Sequence, residues 1–292
     1  MENTIYDTTP IFTRYLYYKN DVVLSLILCM LKKDVEKSLF WGYELYYSGF
    51  KQEVLDILLF VYEEFYELIN PIKIKIFIEK KIMEWKTDYN NHSIVATIIH
   101  NIACRPSIIT NFYKKYGNSS IETNKIRYII CDYAPKKILY VIYDEKTIEK
   151  YNTIENDKFG IASYSILKKV CKYSTIKNAF AVFDYVNCYF LEPYLINISR
   201  KKLRDRYFYN WEYYAFFTPI WRDRIKNYLG TVNFELNKIV FKNEELEDLF
   251  YDQYGIEPDE QPMEITEKTV GINIDETPPI IFEDFITYKY DS

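Results

Sequence analysis

The sequence predicts a mainly α-helical protein: an N-terminal antiparallel helical bundle or layer, a mixed, mostly helical second half with a small strand element, and an acidic flexible tail. Three observations predict it. Apolar residues recur at helical spacing through roughly the first hundred positions. Polar, Gly- or Pro-containing breaks punctuate them at short intervals. The carboxyl-terminal end is acidic and carries several prolines.

Taken in order, Asp21 to Lys32 places Val22, Val23, Leu26, Ile27, Met30 and Leu31 at helical spacing, with Asn20 or Asp21 as N-cap. A second helix starts at Val35 and carries Leu39, Phe40, Tyr43, Tyr46 and Tyr47 to a stop at Gly49. These two form a helical hairpin. Gln52 to Ile69 shows a broad apolar face of Val54, Leu55, Leu58, Leu59, Tyr62, Phe65 and Tyr66, ended by Asn70-Pro71. Ile72 to Thr87 fits a fourth helix, although its Ile residues alternating with Lys73 and Lys75 also fit a strand. Asn91 to Cys104 is helical and stopped by Arg105-Pro106; Ser107 then caps a short helix to Tyr116, and Gly117 closes the set. Short turns between consecutive helices imply antiparallel neighbours.

Asn118 to Thr123 is a polar linker and a domain boundary. The organisation expected is an arm over residues 1–19, a helical domain over 20–117, a mostly helical second domain over 124–254 and a tail over 255–292. In the second domain Ile126 to Asp132 and Ile138 to Asp144 have strand composition, yet Lys136 to Tyr151 can equally be drawn as a helix. Tyr164 to Tyr173 and Asn178 to Phe190 read as helices. Val232 to Phe241 reads as a strand or hairpin, and Asn243 caps an acidic helix ending at Tyr254.

Composition narrows the function classes. An apolar fraction of 49% with 27% charge belongs to a folded chain rather than a disordered one. The longest uncharged apolar run, Val22 to Leu31, is far shorter than the roughly twenty residues a membrane crossing needs. Met1 to Tyr15 lacks the basic-then-apolar order of a signal peptide. Five cysteines, an odd number without pairs, read as reduced thiols in the cytoplasm or nucleus, or in a virus factory or virion if the source is viral. From Glu244 to Ser292 fifteen Asp and Glu face only Lys268 and Lys289, a balance of −13; with −5 overall, residues 1–243 carry +8. Such a split suits a basic binding surface with an acidic, flexible appendage, or simply a solvated surface, the commoner outcome.

Catalytic chemistry finds no foothold. The seven glycines never fall within five residues of one another, so no phosphate-cradling loop can be assembled. His92 and His100 are the two histidines, and any triad or imidazole metal site would have to use one of them. His100 and Cys104 share a helix face at metal-ligand spacing, but no second pair completes a set of four, so a packed core helix is expected there. No catalytic residue, metal or cofactor is assigned.

Basic and aromatic residues interleave from Arg200 to Lys226. Arg200, Lys201, Lys202, Arg204 and Arg206 precede Trp211, and Trp221, Arg222, Arg224 and Lys226 follow. Cationic groups that meet phosphates beside aromatic faces that stack on bases are what single-stranded nucleic-acid binding uses, so these ten are the candidate nucleic-acid surface. The same mixture is also produced by internal ion pairing in a Tyr-rich chain. In the tail, Ile280, Ile281, Phe282 and Phe285 among Glu283 and Asp284 have the composition of a peptide that orders on a partner, or of one that packs back on its own body.

Leu24-Ser25-Leu26-Ile27 through Lys33-Asp34, then Ser38-Leu39-Phe40-Trp41, Leu45 and Gly49, and farther on Val95-Ala96-Thr97-Ile98-Ile99 with Ile102-Ala103-Cys104-Arg105-Pro106-Ser107, lie in an order and at spacings that carry a resemblance. Residues 22–116 resemble the C-terminal helical collar of the replication-associated recombination ATPases of the clamp-loader superfamily, without the ATPase part. Ser38 to Phe50 also resembles segments in uncharacterised proteins of large DNA viruses, which agrees with a Tyr-, Phe-, Ile-, Lys- and Asn-rich, Gly-poor composition typical of an A+T-rich genome. The resemblance implies an oligomerisation element. The function expected is that of a non-enzymatic accessory or assembly factor of a large DNA virus, with a helical protein-interaction domain and nucleic-acid contact in replication or transcription. The alternative is a virion or scaffold protein that binds only other proteins. Expected partners are other protein subunits, self included, and single-stranded nucleic acid, with no membrane.

Overall fold

The computed structural model describes residues 11–108, 140–152 and 210–254. It is mainly helical with one small antiparallel hairpin. The chain divides into two compact units; among the described residues one holds 11–19 and 210–254, the other 20–108 and 140–152.

In the second unit, helices α1 (Lys19–Leu31), α2 (Val35–Tyr47), α3 (Lys51–Phe65), α4 (Ile72–Thr87) and α5 (Ser93–Ala103) follow one another with short connections. α1 is apolar on every side and is buried from Asp21 to Leu31, as a central helix must be. It starts at Lys19, so Asn20 and Asp21 lie in its first turn rather than at the N-cap. Its end is a left-handed cap at Lys33 (φ 61°), where Asp34 N donates to Cys29 O at 3.0 Å and Lys33 N to Met30 O at 3.0 Å. Asp34 then caps α2, its carboxylate accepting from Lys37 N at 3.0 Å. Gly49 (φ 99°) ends α2 in the same way, with Phe50 N donating to Leu45 O.

The Gln52–Ile69 helix of the sequence reading is broken. α3 stops at Phe65, Tyr66 leaves helical geometry, and Glu67–Ile69 is a separate 3₁₀ turn. The cause is Tyr66, fully buried, whose hydroxyl donates to Met30 O at 2.8 Å while its own carbonyl accepts from Asn70 Nδ2 at 2.7 Å. α4 is a helix rather than a strand. Ile74, Ile78, Ile82 and Trp85 form its buried stripe, and Lys75 ties it to α3 through Glu63 at 3.0 Å and to the 3₁₀ turn through Glu67 at 2.9 Å. The short helix from Ser107 is not present over residues 107–108, where Ile108 N donates to Phe65 O; the remainder of that segment lies outside the described residues.

α2 packs closely on α5, α3 touches both, and α4 leans on α3 and α5. Gly42 makes the α2–α5 approach close: a β-carbon there would sit 2.3 Å from Ile99 Cδ1. Residues 140–144 run extended along α5 without strand pairing, followed by α6 (Glu145–Ile148) and a 3₁₀ turn to Tyr151. The strand read over Ile138–Asp144 does not form over residues 140–144, and the alternative helix over Lys136–Tyr151 is present only from Glu145 onward, where Asp144 caps α6 through Thr147 N at 2.7 Å; residues 136–139 lie outside the described residues.

In the first unit, Phe12 bridges Tyr18 around a tight loop with Leu16 in a left-handed conformation (φ 58°). Residues 210–215 are helical, α7 spans Pro219–Asn227, β1 (Thr231–Asn233) pairs antiparallel with β2 (Lys238–Val240) in the register Val232 to Ile239, and α8 spans Glu244–Tyr254. Asn243 caps α8, its side chain accepting from Leu246 N at 3.0 Å. The predicted strands and helices at Ile126–Asp132, Tyr164–Tyr173 and Asn178–Phe190, and the tail, lie outside the described residues.

Candidate functional site

Of the ten residues read as a nucleic-acid surface, Arg200, Lys201, Lys202, Arg204 and Arg206 lie outside the described residues, as do Ile280, Ile281, Phe282 and Phe285 of the tail. The other five separate. Trp211 and Trp221 are buried and meet edge to face at 5.4 Å, and Trp211 stacks on Phe250. Trp221 Nε1 donates to Thr13 O at 3.3 Å, beside a hydrogen bond from the Thr218 hydroxyl to Phe12 O. Arg224 is buried too, its guanidinium 4.5 Å from the Trp221 ring centre and 4.9 Å from that of Tyr254. Base stacking by Trp211 and Trp221 is therefore corrected: a tryptophan stabilises most where its large apolar area leaves water, and both rings build this unit's core. Arg222, half-buried, and Lys226, exposed, stand one turn apart on α7 with the exposed Asp223 between them in sequence. They can meet phosphates but offer no ring to a base.

The second unit assembles polar chemistry that the sequence reading left unassigned. α5 is almost wholly apolar, yet Ser93, Thr97 and Asn101 recur every fourth residue, and all three are buried. Residues 140–144 and Glu145, the first residue of α6, lie along them. Asn101 Nδ2 donates to Val141 O at 2.6 Å, and Val141 N donates to Asn101 Oδ1 at 3.1 Å. Tyr143 N donates to Thr97 Oγ1 at 3.0 Å, and Ser93 N donates to the Glu145 carboxylate at 2.8 Å. That last contact places a negative charge on the open amino end of α5, where unpaired N–H groups and the helix dipole favour it.

Both histidines flank the same segment. His100 Nδ1 lies 2.8 Å from the Tyr143 hydroxyl, and His92 Nδ1 lies 3.1 Å from the Tyr46 hydroxyl, which also accepts from Trp85 Nε1 at 2.9 Å. Burial pushes both imidazoles below their ordinary value, with Lys51 adding to this at His92 and Glu145 and Asp88 opposing it. Tyr43, whose hydroxyl donates to His92 O at 2.9 Å, is pushed well up by burial; Tyr151, stacked on it at 5.0 Å, is pushed up to about 12. At neutral pH these rings stand as uncharged hydrogen-bonding groups. Tyr47, His92, Glu145, Lys146, Ile148, Glu149 and Asn152 line a cleft of about 250 Å³, below the size of ordinary small-molecule sites.

His100 is engaged with Tyr143, the Cys104 thiol is pushed up by partial burial, and no group of three metal-ligating side chains occurs among the described residues.

A third feature is apolar. α4 carries a second stripe opposite its buried one: Ile72, Ile76 and Met83 are 62%, 56% and 59% exposed, with Leu68 beside its start and Lys73 and Lys80 along one side. Among the described residues no helix is long and apolar enough to cross a membrane.

Asn101 and Thr97 could have been found from the sequence. An Asn inside Ile98-Ile99-His100-Asn101-Ile102 on a mostly apolar helix must satisfy its amide somewhere; Thr97 O takes one amide hydrogen at 2.7 Å, and the other hydrogen and the oxygen go to residue 141. Comparison with family models, with curated proteins and with solved structures returned no match to this chain.

Proposed function

We propose that this protein is a non-enzymatic assembly or accessory factor whose helical unit binds another protein through the outer face of α4. The exposed stripe of Ile72, Ile76 and Met83 carries this reading. Isolated exposed apolar residues need no explanation, but a helix that repeats Ile, Ile and Met along one line of its solvent face presents what a partner helix can cover. The flanking Lys73 and Lys80 favour a partner with acidic residues beside its apolar ones. The composition and the collar resemblance of residues 22–116 extend the proposal to a factor of a large DNA virus acting in replication or transcription.

A second reading, contact with a nucleic-acid backbone, is favoured by Arg222 and Lys226 on the outside of α7 and by the +8 balance of residues 1–243, which follows from −5 overall and −13 from Glu244 onward. The full chain, captured from expressing cells with and without nuclease, tests both. Under the first reading a protein partner survives nuclease and is lost with Ile76→Asp and Met83→Asp, while the helical signal is kept. Retention of every partner by that variant would overturn it. Under the second, single-stranded DNA binds with an affinity that falls steeply with salt and drops with Arg222→Glu and Lys226→Glu; a flat salt response leaves the virion or scaffold alternative in its place.

A further inference from the structure

The contacts between α5 and residues 140–145 follow a ruler. Ser93, Thr97 and Asn101 step by four residues along the helix, about 6 Å at 1.5 Å per residue. Tyr143 and Val141 step by two residues along a chain that is neither helix nor paired strand, about 6.6 Å at 3.3 Å per residue, and Glu145 follows as the first residue of α6. The two repeats match closely enough for two successive contacts of an α5 side chain with the segment's main chain, which runs opposite to α5: Val141 on Asn101 and Tyr143 on Thr97. Beyond them the Glu145 side chain reaches the Ser93 amide, while the Ser93 hydroxyl donates to Asn91 Oδ1.

Asn101 and Thr97 bond main-chain atoms, so their reading depends on an extended backbone with free N–H groups rather than on particular side chains. Side chains add selectivity at two points. The Tyr140 ring stacks on Phe77 at 4.1 Å with Arg105 over it at 5.8 Å, and the Tyr143 hydroxyl meets His100. This is how an external peptide is recognised, and here the occupant is the chain itself.

We propose that the Thr97 and Asn101 side chains, with the Ser93 amide at the open end of α5, form a peptide-docking site that also accepts residues 140–145 of a second copy of this chain, giving an exchanged dimer. Thirty-one residues separate Ile108 from Tyr140 in the sequence. The contacts in trans are the same as in cis, which makes exchange a low-cost route to a dimer once protein concentration approaches the roughly millimolar effective concentration of a tethered segment. This goes beyond assembly through α4 and uses different residues.

Two full-length variants test it by complementation. Val141→Pro removes the N–H that Asn101 accepts and so disables the segment; Asn101→Ala disables the groove and leaves the segment whole. Each alone should sediment as a monomer. Their equimolar mixture at about 0.5 mM, the order of that effective concentration, should form a one-to-one complex that persists when both carry Ile76→Asp and Met83→Asp. A labelled peptide of residues 138–151 should also bind the Val141→Pro chain at least about tenfold tighter than wild type, whose own segment competes. Where Val141→Pro loses its helical circular dichroism, Tyr143→Pro, which removes the N–H that Thr97 Oγ1 accepts, replaces it; where Asn101→Ala does, Thr97→Val, which removes that acceptor, replaces it; and the peptide titration decides. A mixture that stays monomeric, or a peptide that binds equally well with Asn101→Ala in the groove, overturns the proposal.

Discussion

Gly42→Ala tests the α2–α5 contact on which the helical unit is built. The new methyl would lie 2.3 Å from Ile99 Cδ1, against the 3.5–4.0 Å of an ordinary carbon contact, in a place where Ile99 has no exposed surface to retreat into. Overpacking of this kind costs about 1–3 kcal/mol, and the better helix propensity of alanine returns about 1 kcal/mol, so a net loss of about 1 kcal/mol is expected. Ile99→Val alone deletes that same Cδ1 and should cost about 1 kcal/mol as a small cavity. Together the two changes cancel: the next atom, Cγ1, is 3.7 Å from the new methyl, which is normal contact, and the methyl enters the space Cδ1 left. The double variant should match wild type within about 0.5 kcal/mol, a coupling of about 2 kcal/mol. Urea unfolding with exchange protection of the α5 amides measures all four corners of the cycle. Additivity of the two changes within about 0.5 kcal/mol would show that α2 and α5 do not meet through these atoms.

Three other outcomes are expected. Gly49→Ala forces a β-carbon into the left-handed conformation that closes α2 (φ 99°) and should lower stability by about 1 kcal/mol in the same urea assay. Burial pushes the Glu212 carboxyl up despite its hydrogen bond from the Tyr251 hydroxyl; with the folded value above the unfolded one, the cost grows as pH rises through it, so Glu212→Gln should stabilise at pH 7–8 with a gain that vanishes toward pH 4. Burial holds His92 and His100 below their ordinary value, so the stability they permit is complete above about pH 6.5 and declines as pH falls from there through the folded values; thermal unfolding against pH should show that slope, and His100→Gln should flatten it.

The helical half was legible because its signals were local. Gly49 marked its own cap, Pro71 and Pro106 marked their breaks, and α4 spans the Ile72–Thr87 limits read from periodicity. Tyr66 was not legible, since nothing near it in sequence says that its hydroxyl will reach the Met30 carbonyl and bend the chain out of α3. Composition misled at Trp211 and Trp221. Aromatics beside cations look alike whether they await a base or fill a core, and only long-range contacts, such as Trp221 to Thr13, decide which.

Asn101 shows where the boundary between the two kinds of information falls. Its position on an apolar helix announces a buried amide that must be satisfied, and that much is local. The partner forty positions later is extended for reasons that are not: Val141 and Tyr143 form no strand ladder, and their main-chain groups are held by α5 side chains instead. A segment with strand composition and no strand to pair with needs another set of donors and acceptors at a strand's spacing, and a helix supplies one only where polar residues recur every fourth position. The four-residue step from Thr97 to Asn101 and the two-residue step from Val141 to Tyr143 are thus two halves of one signal, each ambiguous alone. If the repeat were incidental to docking, Thr97→Val would leave the Tyr143 amide as protected from hydrogen exchange as before; loss of that protection, with the α5 amides unchanged, is the outcome the matched spacings require.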